Sequence, residues 1–192
     1  MMNAKELLEY IDQTSGDPKY QTIELDGKVI RHGYSKCWKS WEHICQLGID
    51  WKGKHVCEFG SFNGYFSFKI EEQGAFVMGY DRDERALRVA TTIGNIKSSC
   101  CRFEQRDIGR DLLGTKFDII MAMNMLHHVK NENGEEAYEK VLTDIFFYCD
   151  EVIFEIQNEQ IDEVKSFGSR FTLIKTLPSH RPQRTFLYFK RT

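Results

Sequence analysis

From Gly53 onward the sequence alternates short apolar runs with amphipathic segments, and this alternation restricts the possible folds more than any other feature. The apolar runs include HVCEFG, FVMGYD, KFDIIMAMN and EVIFEI, with segments such as DERALRVATTIG between them. Apolar runs of this length are typical of buried parallel strands, and the segments between them have the spacing of amphipathic helices. The sequence therefore predicts an α/β fold in which helices cover both faces of a mostly parallel sheet.

Both ends of the chain carry further β-type patterns. TIEL and KVIR flank Asp26-Gly27, a dipeptide typical of two-residue hairpin turns, and a segment with helical spacing lies on either side of them. These elements predict a small N-terminal cap, residues 1–50, packed on a core of residues 51–192 as one compact unit. Near the C-terminus, FTLIKTL and TFLYFKR are joined by a polar segment and predict a hairpin at the edge of the sheet.

Composition and charge argue against several classes of protein. The 192 residues carry 26 basic and 29 acidic side chains, so the net charge of −3 does not favour nucleic-acid binding by the chain as a whole. The cysteines form no C-x-x-C pair and no histidine stands at zinc-finger spacing, so no metal site is expected. The start, MMNAKELLEY, lacks the apolar run of a signal peptide, and no stretch approaches the length of a membrane span. We expect a cytoplasmic protein that makes no membrane contact, and its oligomeric state stays open.

The segment VCEFGSFNGYFSF, residues 56–68, places two glycines just beyond an apolar strand. In an open α/β sheet, ligands bind beyond the carboxyl ends of the strands. Gly60 and Gly64 allow the backbone to approach a ligand closely and to turn into a helix that begins near Tyr65. Phe62 and Tyr65 stand where a G-x-G-x-x-G motif has glycine, which disfavours an NAD(P)-dependent oxidoreductase.

Carboxylates lie at the ends of consecutive strands around this turn. Glu58 precedes the first glycine, Asp81 ends FVMGYD, and Asp107 ends FEQRD. Neighbouring carboxylates repel one another, so their clustering indicates a ligand. Asp81 is suited to accept hydrogen bonds from ribose hydroxyls, and Glu58 supplies negative charge near a cation. Each acid alone also has an ordinary explanation, a helix cap for Asp81 and ion pairing with nearby arginines for Asp107.

In motif order, the chain from Gly53 to about Ile156 resembles the class I S-adenosylmethionine-dependent methyltransferases. VCEFGSFNGYFSF resembles the first motif of that family in its GxxxGY variant, and FDIIMAMNMLHHV resembles the motif of its fourth strand. The resemblance implies a three-layer Rossmann-like fold with a seven-stranded, mostly parallel sheet whose last strand is antiparallel. It also implies S-adenosyl-L-methionine as the cofactor and S-adenosyl-L-homocysteine as the product.

The resemblance assigns roles to residues at the strand ends. Asp81 resembles the ribose-binding acid and Asp107 the acid that contacts adenine, with Ile108 beside the adenine ring. Asn124 follows the fourth strand and is expected beside the transferring methyl group. The expected cofactor-binding residues are Glu58, Gly60, Ser61, Gly64, Tyr65, Asp81, Arg82, Asp107, Ile108, Asn124 and Met125.

The sequence constrains catalysis and acceptor binding less strongly. Asn124 and His127 are the catalytic candidates, with His127 either a general base or a packed histidine beside the cofactor. Candidate acceptor-binding residues are Tyr34, Lys36, His128, Arg181 and Arg184. The arginines suit an anionic group. The expected function is methyl transfer to a small molecule or to a modified nucleoside or RNA, and the alternative is a non-catalytic S-adenosylmethionine-binding partner or regulatory subunit.

Overall fold

A computed structural model of the chain describes residues 2–25, 27–111 and 113–192. The helices are α1 Ala4–Thr14, α2 Cys37–Gln46, α3 Tyr65–Glu71, α4 Glu84–Lys97, α5 Leu126–Asn133, α6 Glu135–Tyr148 and α7 Ile161–Phe167. The strands are β1 Ile23–Leu25, β2 Lys28–Arg31, β3 His55–Phe59, β4 Phe76–Asp81, β5 Arg102–Gln105, β6 Phe117–Met123, β7 Cys149–Gln157, β8 Phe171–Pro178 and β9 Arg184–Arg191. A 3-10 turn, Asn158–Gln160, lies between β7 and α7. Among the helices of the described ranges, none combines the length and the apolar character that a bilayer crossing requires.

In the described part of the chain, seven strands form one sheet in the order β5-β4-β3-β6-β7-β9-β8. β3 pairs in parallel with β4 and with β6, while β9 runs antiparallel to both β7 and β8. The chain first builds outward from β3 to β5 and then returns to the other side of β3 with β6, so the strand order reverses beside β3. The predicted mostly parallel sheet, with an antiparallel last strand in a C-terminal hairpin, is confirmed.

The core occupies both faces of this sheet, and β6 illustrates why. Ile119 and Met121 pack on one face with α2 and α3, whereas Ile120 and Ala122 pack on the other face with α5 and α6. Successive side chains of a strand point to opposite faces. A strand that is buried on both faces therefore needs a continuous apolar sequence, which is the pattern that predicted it.

The N-terminal elements pack onto the core at separate places. Leu7 and Ile11 of α1 lie in a buried cluster with residues of α4, and Ile44 of α2 lies in the cluster that covers α3. β1 and β2 form the two-stranded hairpin that the sequence predicts. Asp26, the first residue of its predicted turn, lies outside the described residues.

A glycine turn connects β3 to α3 at the point where the strand order reverses. Gly60 and Gly64 have φ angles of +74° and +82°, and Phe62 between them has a φ angle of +50°. The backbone N–H groups of Gly60 and Ser61 donate to the carbonyl oxygen of Tyr80 at 2.8 and 3.1 Å. The turn is therefore held against the end of β4, and its left-handed conformations explain why glycine occupies both ends.

Replacing Gly64 with alanine tests how tightly the core constrains this turn. A Cβ atom there would lie 2.8 Å from Cζ of Phe103 and 2.9 Å from Cε2 of Phe68. Gly53→Ala is the matched control, because Gly53 has a φ angle of +72° and open space around it. We expect the control to lower the free energy of unfolding by about 1–2 kcal/mol, from backbone strain alone. Gly64→Ala should lower it by about 2–5 kcal/mol, since overpacking adds to the strain.

The measurement is urea denaturation of both variants under the same conditions. Equal losses of stability in Gly64→Ala and Gly53→Ala would contradict the account, because they would show that the two phenylalanine rings do not restrict the turn.

Candidate functional site

A cavity of about 210 Å³ opens beyond the carboxyl ends of β3, β4 and β6, beside the glycine turn. The ends of parallel strands at a reversal of strand order diverge and leave such a crevice. Seven of the predicted cofactor-binding residues line it: Gly60, Asp81, Arg82, Asp107, Ile108, Asn124 and Met125. The fold therefore brings together residues that are far apart in the sequence, at the edge of the sheet where a ligand is expected.

Asp81 is held in a fixed orientation at the end of β4. Its Oδ2 accepts a hydrogen bond from the backbone N–H of Phe62 at 2.8 Å, and its Oδ1 accepts one from that of Asp83 at 2.9 Å. Burial raises the pKa of Asp81, while these two backbone donors act in the opposite direction. A carboxylate oxygen can accept two hydrogen bonds, so each oxygen of Asp81 has one acceptor position left beside its backbone donor. The carboxylate thus keeps capacity for a ligand hydroxyl while it stabilises the turn.

Apolar side chains and a second acid form another part of the cavity wall. Ile108, Met125 and Val129 supply the apolar surface. Asp107 lies beside them, and its Oδ1 accepts a hydrogen bond from the N–H of Gly109 at 3.2 Å. Together with Asp81, this wall suits a ligand that combines a flat, partly apolar ring with hydroxyl groups.

Arg82 and Glu132 form an ion pair at the cavity wall, and both side chains are substantially exposed. The Nδ1 atom of His128 lies 3.9 Å from Oε1 of Glu132. The sequence predicted roles for Arg82 and His128 but not for Glu132, which reaches the cavity from α5. No local pattern distinguishes Glu132 from the other charged residues on the exposed face of that helix.

Glu58, Ser61, Gly64 and Tyr65 do not line the cavity, although the sequence predicted them as cofactor-binding residues. Glu58 lies 1% exposed in the interior, where its Oε2 accepts a hydrogen bond from Oγ of Ser67 at 2.5 Å. Its Oε1 has no hydrogen-bond partner within the described ranges. Burial raises the pKa of Glu58 to about 8, so the carboxyl group is largely protonated at neutral pH.

Asn124, just beyond the end of β6, is another residue of the cavity wall. Its backbone is left-handed, with a φ angle of +57°, and its N–H donates to the carbonyl oxygen of Glu155 at 2.8 Å. Its side-chain Oδ1 is buried and has no hydrogen-bond partner among the described residues. A buried acceptor without a partner is costly. Asn124 therefore marks a position where a ligand donor would stabilise the structure.

His127 lies next to this asparagine but is not a lining residue of the cavity. Its ring centroid is 4.0 Å from that of His128. Burial lowers the pKa of His127 to about 4, with further contributions from His128 and Arg184. The imidazole is therefore neutral at physiological pH.

The remaining candidates for acceptor binding do not line the cavity. Tyr34 is exposed and its hydroxyl donates to Asp17, and Lys36 is exposed at the start of α2. Arg181 is engaged within the fold, since Nη1 donates to Oε2 of Glu155 at 2.8 Å and Nη2 to the carbonyl oxygen of Ser35 at 3.0 Å.

Tyr20 lines the cavity and was not predicted from the sequence. Its ring makes edge contacts with Phe62, at a centroid distance of 5.1 Å, and with Tyr34, at 5.6 Å. The segment TSGDPKY around it indicates only a turn. Tyr20 reaches the site because the segment between α1 and β1 folds over the glycine turn, and a local pattern does not reveal such packing.

Comparison with protein families and curated proteins identifies relatives of this chain. A family described as "Methyltransferase domain" matches residues 50–175. The chain is 31% identical over 97 residues to a ubiquinone biosynthesis O-methyltransferase of Bordetella avium, covering 48% of this chain and 39% of that protein. It is 33% identical over 84 residues to the protein of the same name from Coxiella burnetii, covering 42% of this chain and 35% of that protein. The matches thus span well under half of these relatives.

Solved structures share the fold at low sequence identity. WbdD, crystallised with a kinase inhibitor, aligns with a TM-score of 0.78 and 16% identity over 96% of this chain and 47% of that chain. Magnesium protoporphyrin IX methyltransferase from Synechocystis PCC 6803, with bound S-adenosylmethionine, aligns with a TM-score of 0.66 and 18% identity. The alignment covers 79% of this chain and 77% of that chain. The N-terminal domain of EvdMO1, in the presence of S-adenosylhomocysteine and D-fucose, aligns with a TM-score of 0.72 and 12% identity. The alignment covers 100% of this chain and 98% of that chain.

Glu58→Gln tests whether the buried carboxyl group is neutral in the folded chain. Its folded pKa is about 8, and an exposed glutamate titrates near about 4.3. The folded chain therefore holds a proton that the unfolded chain has released, so the stabilisation is complete below the unfolded pKa and is lost as the pH rises toward 8. We expect the unfolding free energy of the wild type to fall, relative to that of Glu58→Gln, as the pH increases across this interval.

Urea denaturation at several pH values between these two pKa values measures the difference. Glu42→Gln is the control, because Glu42 is exposed on α2 and its curve should run parallel to that of the wild type. A Glu58→Gln curve that also runs parallel to the wild type would contradict the assignment of a neutral carboxyl group.

Proposed function

The chain belongs to the class I S-adenosylmethionine-dependent methyltransferase family, and from this premise we propose that it transfers the methyl group of S-adenosylmethionine to a small-molecule acceptor. The cofactor would bind in the cavity at the ends of β3, β4 and β6, and S-adenosylhomocysteine would be the product. The observation that carries this proposal is the arrangement around Gly60. There, the oriented carboxylate of Asp81 and the apolar side chains of Ile108 and Met125 line one cavity.

The residues of the cavity fit the chemical parts of this cofactor. Asp81 would accept hydrogen bonds from the ribose hydroxyls, because its oxygens retain free acceptor positions beside the backbone donors. Ile108 and Met125 supply apolar contact for the adenine ring. A glycine at position 60 leaves backbone at the cavity wall, and Asn124, whose Oδ1 lacks a partner among the described residues, would accept a hydrogen bond from the amino-acid part of the cofactor.

Catalysis by this chain consists mainly of alignment and exclusion of water. The bound cofactor supplies an electrophilic methyl group on a positively charged sulfur. The protein residues orient the acceptor toward that methyl group and shield both from solvent, which together lower the barrier of a bimolecular reaction. A general base is most effective when its pKa is near the working pH. The pKa of His127, about 4, is far below that range, so we assign His127 a packing role rather than proton transfer.

The acceptor approaches from the side of Tyr20 and Asn124. Tyr20 lines the cavity, and Asn124 is bonded through its N–H to β7, the next strand of the sheet. The names of the relatives, which include ubiquinone biosynthesis O-methyltransferases and a magnesium protoporphyrin IX methyltransferase, support a small molecule rather than an RNA as the acceptor.

Asp81→Asn tests the assignment of the cofactor site. The variant removes the negative charge that accepts the ribose hydrogen bonds, so we expect the affinity for S-adenosylhomocysteine to fall roughly 10- to 100-fold. Asp118→Asn is the matched control, because Oδ2 of Asp118 also accepts a backbone hydrogen bond, from His55 at 2.7 Å, but lies at the amino end of β6. Isothermal titration calorimetry measures both affinities, and Asp118→Asn should bind like the wild type.

Transfer of tritiated methyl groups from S-adenosylmethionine to the small-molecule fraction of a cell extract tests the reaction itself. Labelling by the wild type but not by Asp81→Asn supports the proposal. Tight binding of S-adenosylhomocysteine without labelling of any fraction would contradict it, and would favour a cofactor-binding partner subunit without catalytic activity.

A further inference from the structure

A polar cleft of about 480 Å³ lies at the carboxyl end of β7, next to the loop between β8 and β9. Its walls are formed by residues 157–159 and 182–184. It shares no lining residue with the cofactor cavity. The amides, the backbone and the guanidinium that line it suit a polar ligand rather than an apolar one.

Arg184 lines the cleft with a guanidinium group whose hydrogen-bonding capacity is not fully used. Its Nη1 atom is buried and has no hydrogen-bond partner in the described part of the chain. Burial lowers the pKa of the Arg184 guanidinium, but arginine remains protonated in proteins. Arg184 as a whole is only partly buried, but a charged N–H group that is shielded from water and has no partner is unfavourable. An anion at this position would remove that cost.

The nearby carboxylate of Glu155 does not satisfy Arg184, because other residues already occupy it. Glu155 is fully buried, its Oε1 accepts from Oγ of Ser179 at 2.5 Å, and its Oε2 accepts from Nη1 of Arg181 at 2.8 Å. The Arg181–Glu155 pair is neutral as a unit. The remaining acid of the cleft wall, Glu159, is exposed to solvent. Glu155 attracts the positive charge of Arg184, but neither of its oxygens accepts a hydrogen bond from Nη1 of Arg184.

The cleft adjoins the cofactor cavity along the sheet, because the N–H of Asn124, which lines that cavity, donates to the carbonyl oxygen of Glu155 on β7, the strand whose end forms the cleft. Arg184 is close enough to His127 and to Tyr20 to influence the pKa of each electrostatically. Tyr20 in turn lines the cofactor cavity. A molecule anchored at Arg184 would therefore lie beside the strand ends that border the proposed cofactor site.

We propose that this cleft is the acceptor site and that Arg184 anchors an anionic group of the acceptor, a carboxylate or a phosphate. The inference rests on the proposed methyltransferase function and specifies the class of its substrate. The planar guanidinium forms paired hydrogen bonds with either anion, which favours arginine over lysine at such a position. Arg181, which the sequence predicted for the same role, instead holds the loop to β7 and to Ser35.

Titration of the full chain with inorganic phosphate and with acetate, followed by NMR, tests the proposal. The backbone amide signals of Asn158 and Gln183 report on the cleft, and that of Gly60 reports on S-adenosylhomocysteine in the same sample. We expect saturable shifts of the cleft signals, with and without S-adenosylhomocysteine. The anion that binds more tightly identifies the acceptor group as a phosphate or as a carboxylate.

Variants at position 184 give the decisive comparison. Arg184→Gln should weaken anion binding roughly tenfold or more, as expected for the loss of a charge-assisted hydrogen bond, and Arg184→Lys should retain part of the affinity. Arg170→Gln is the matched control, because Arg170 is exposed beyond α7 and outside the cleft. Unchanged S-adenosylhomocysteine shifts at Gly60 show that each variant is folded.

The proposal is overturned if neither anion shifts the cleft signals, or if Arg184→Gln binds anions as the wild type does. Either result with normal shifts at Gly60 would refute the acceptor site and leave the cofactor site intact. Absence of any S-adenosylhomocysteine effect at Gly60 would refute the proposed function instead.

Discussion

The attachment of the glycine turn to the end of β4 is the interaction on which the site depends. The carbonyl oxygen of Tyr80 accepts hydrogen bonds from Gly60 and Ser61, and the carboxylate of Asp81 accepts one from Phe62. These bonds fix the conformation of the turn and the orientation of the acid at the same time. Because the strand order reverses here, the crevice between the strand ends stays open, and the cavity takes its walls from groups that are already rigid.

Electrostatics divides the ionisable groups of the site into distinct roles. Glu58 is buried, and its raised pKa keeps it largely neutral beneath the turn. Burial also raises the pKa of Asp81, while two backbone donors act in the opposite direction and favour its charged form. His127 is neutral because burial lowers its pKa, with further contributions from His128 and Arg184. Arg184 alone among these four carries a positive charge, and one of its nitrogens lacks a partner in the described ranges. The arrangement suits alignment and anion recognition more than proton transfer.

Sequence reasoning predicted most of the fold, because strands that are buried on both faces have continuous apolar sequences and parallel strands end at one edge of the sheet. For the same reason it placed Gly60, Asp81 and Asn124 at one edge of the sheet, where they line a single cavity. It did not find Tyr20, which arrives by tertiary packing from a segment with only turn signals. Nor did it separate Arg181 from Arg184, since their difference depends on which guanidinium reaches the carboxylate of Glu155.

The central claim is that the turn and the acid of β4 form a site for a nucleoside with a positively charged sulfur, and not for a dinucleotide. Calorimetric titration of the wild-type chain with S-adenosylmethionine and, separately, with NAD tests this most directly. The account predicts saturable one-to-one binding of S-adenosylmethionine and no detectable heat with NAD. Binding of NAD, or the absence of S-adenosylmethionine binding by a folded chain, would contradict it.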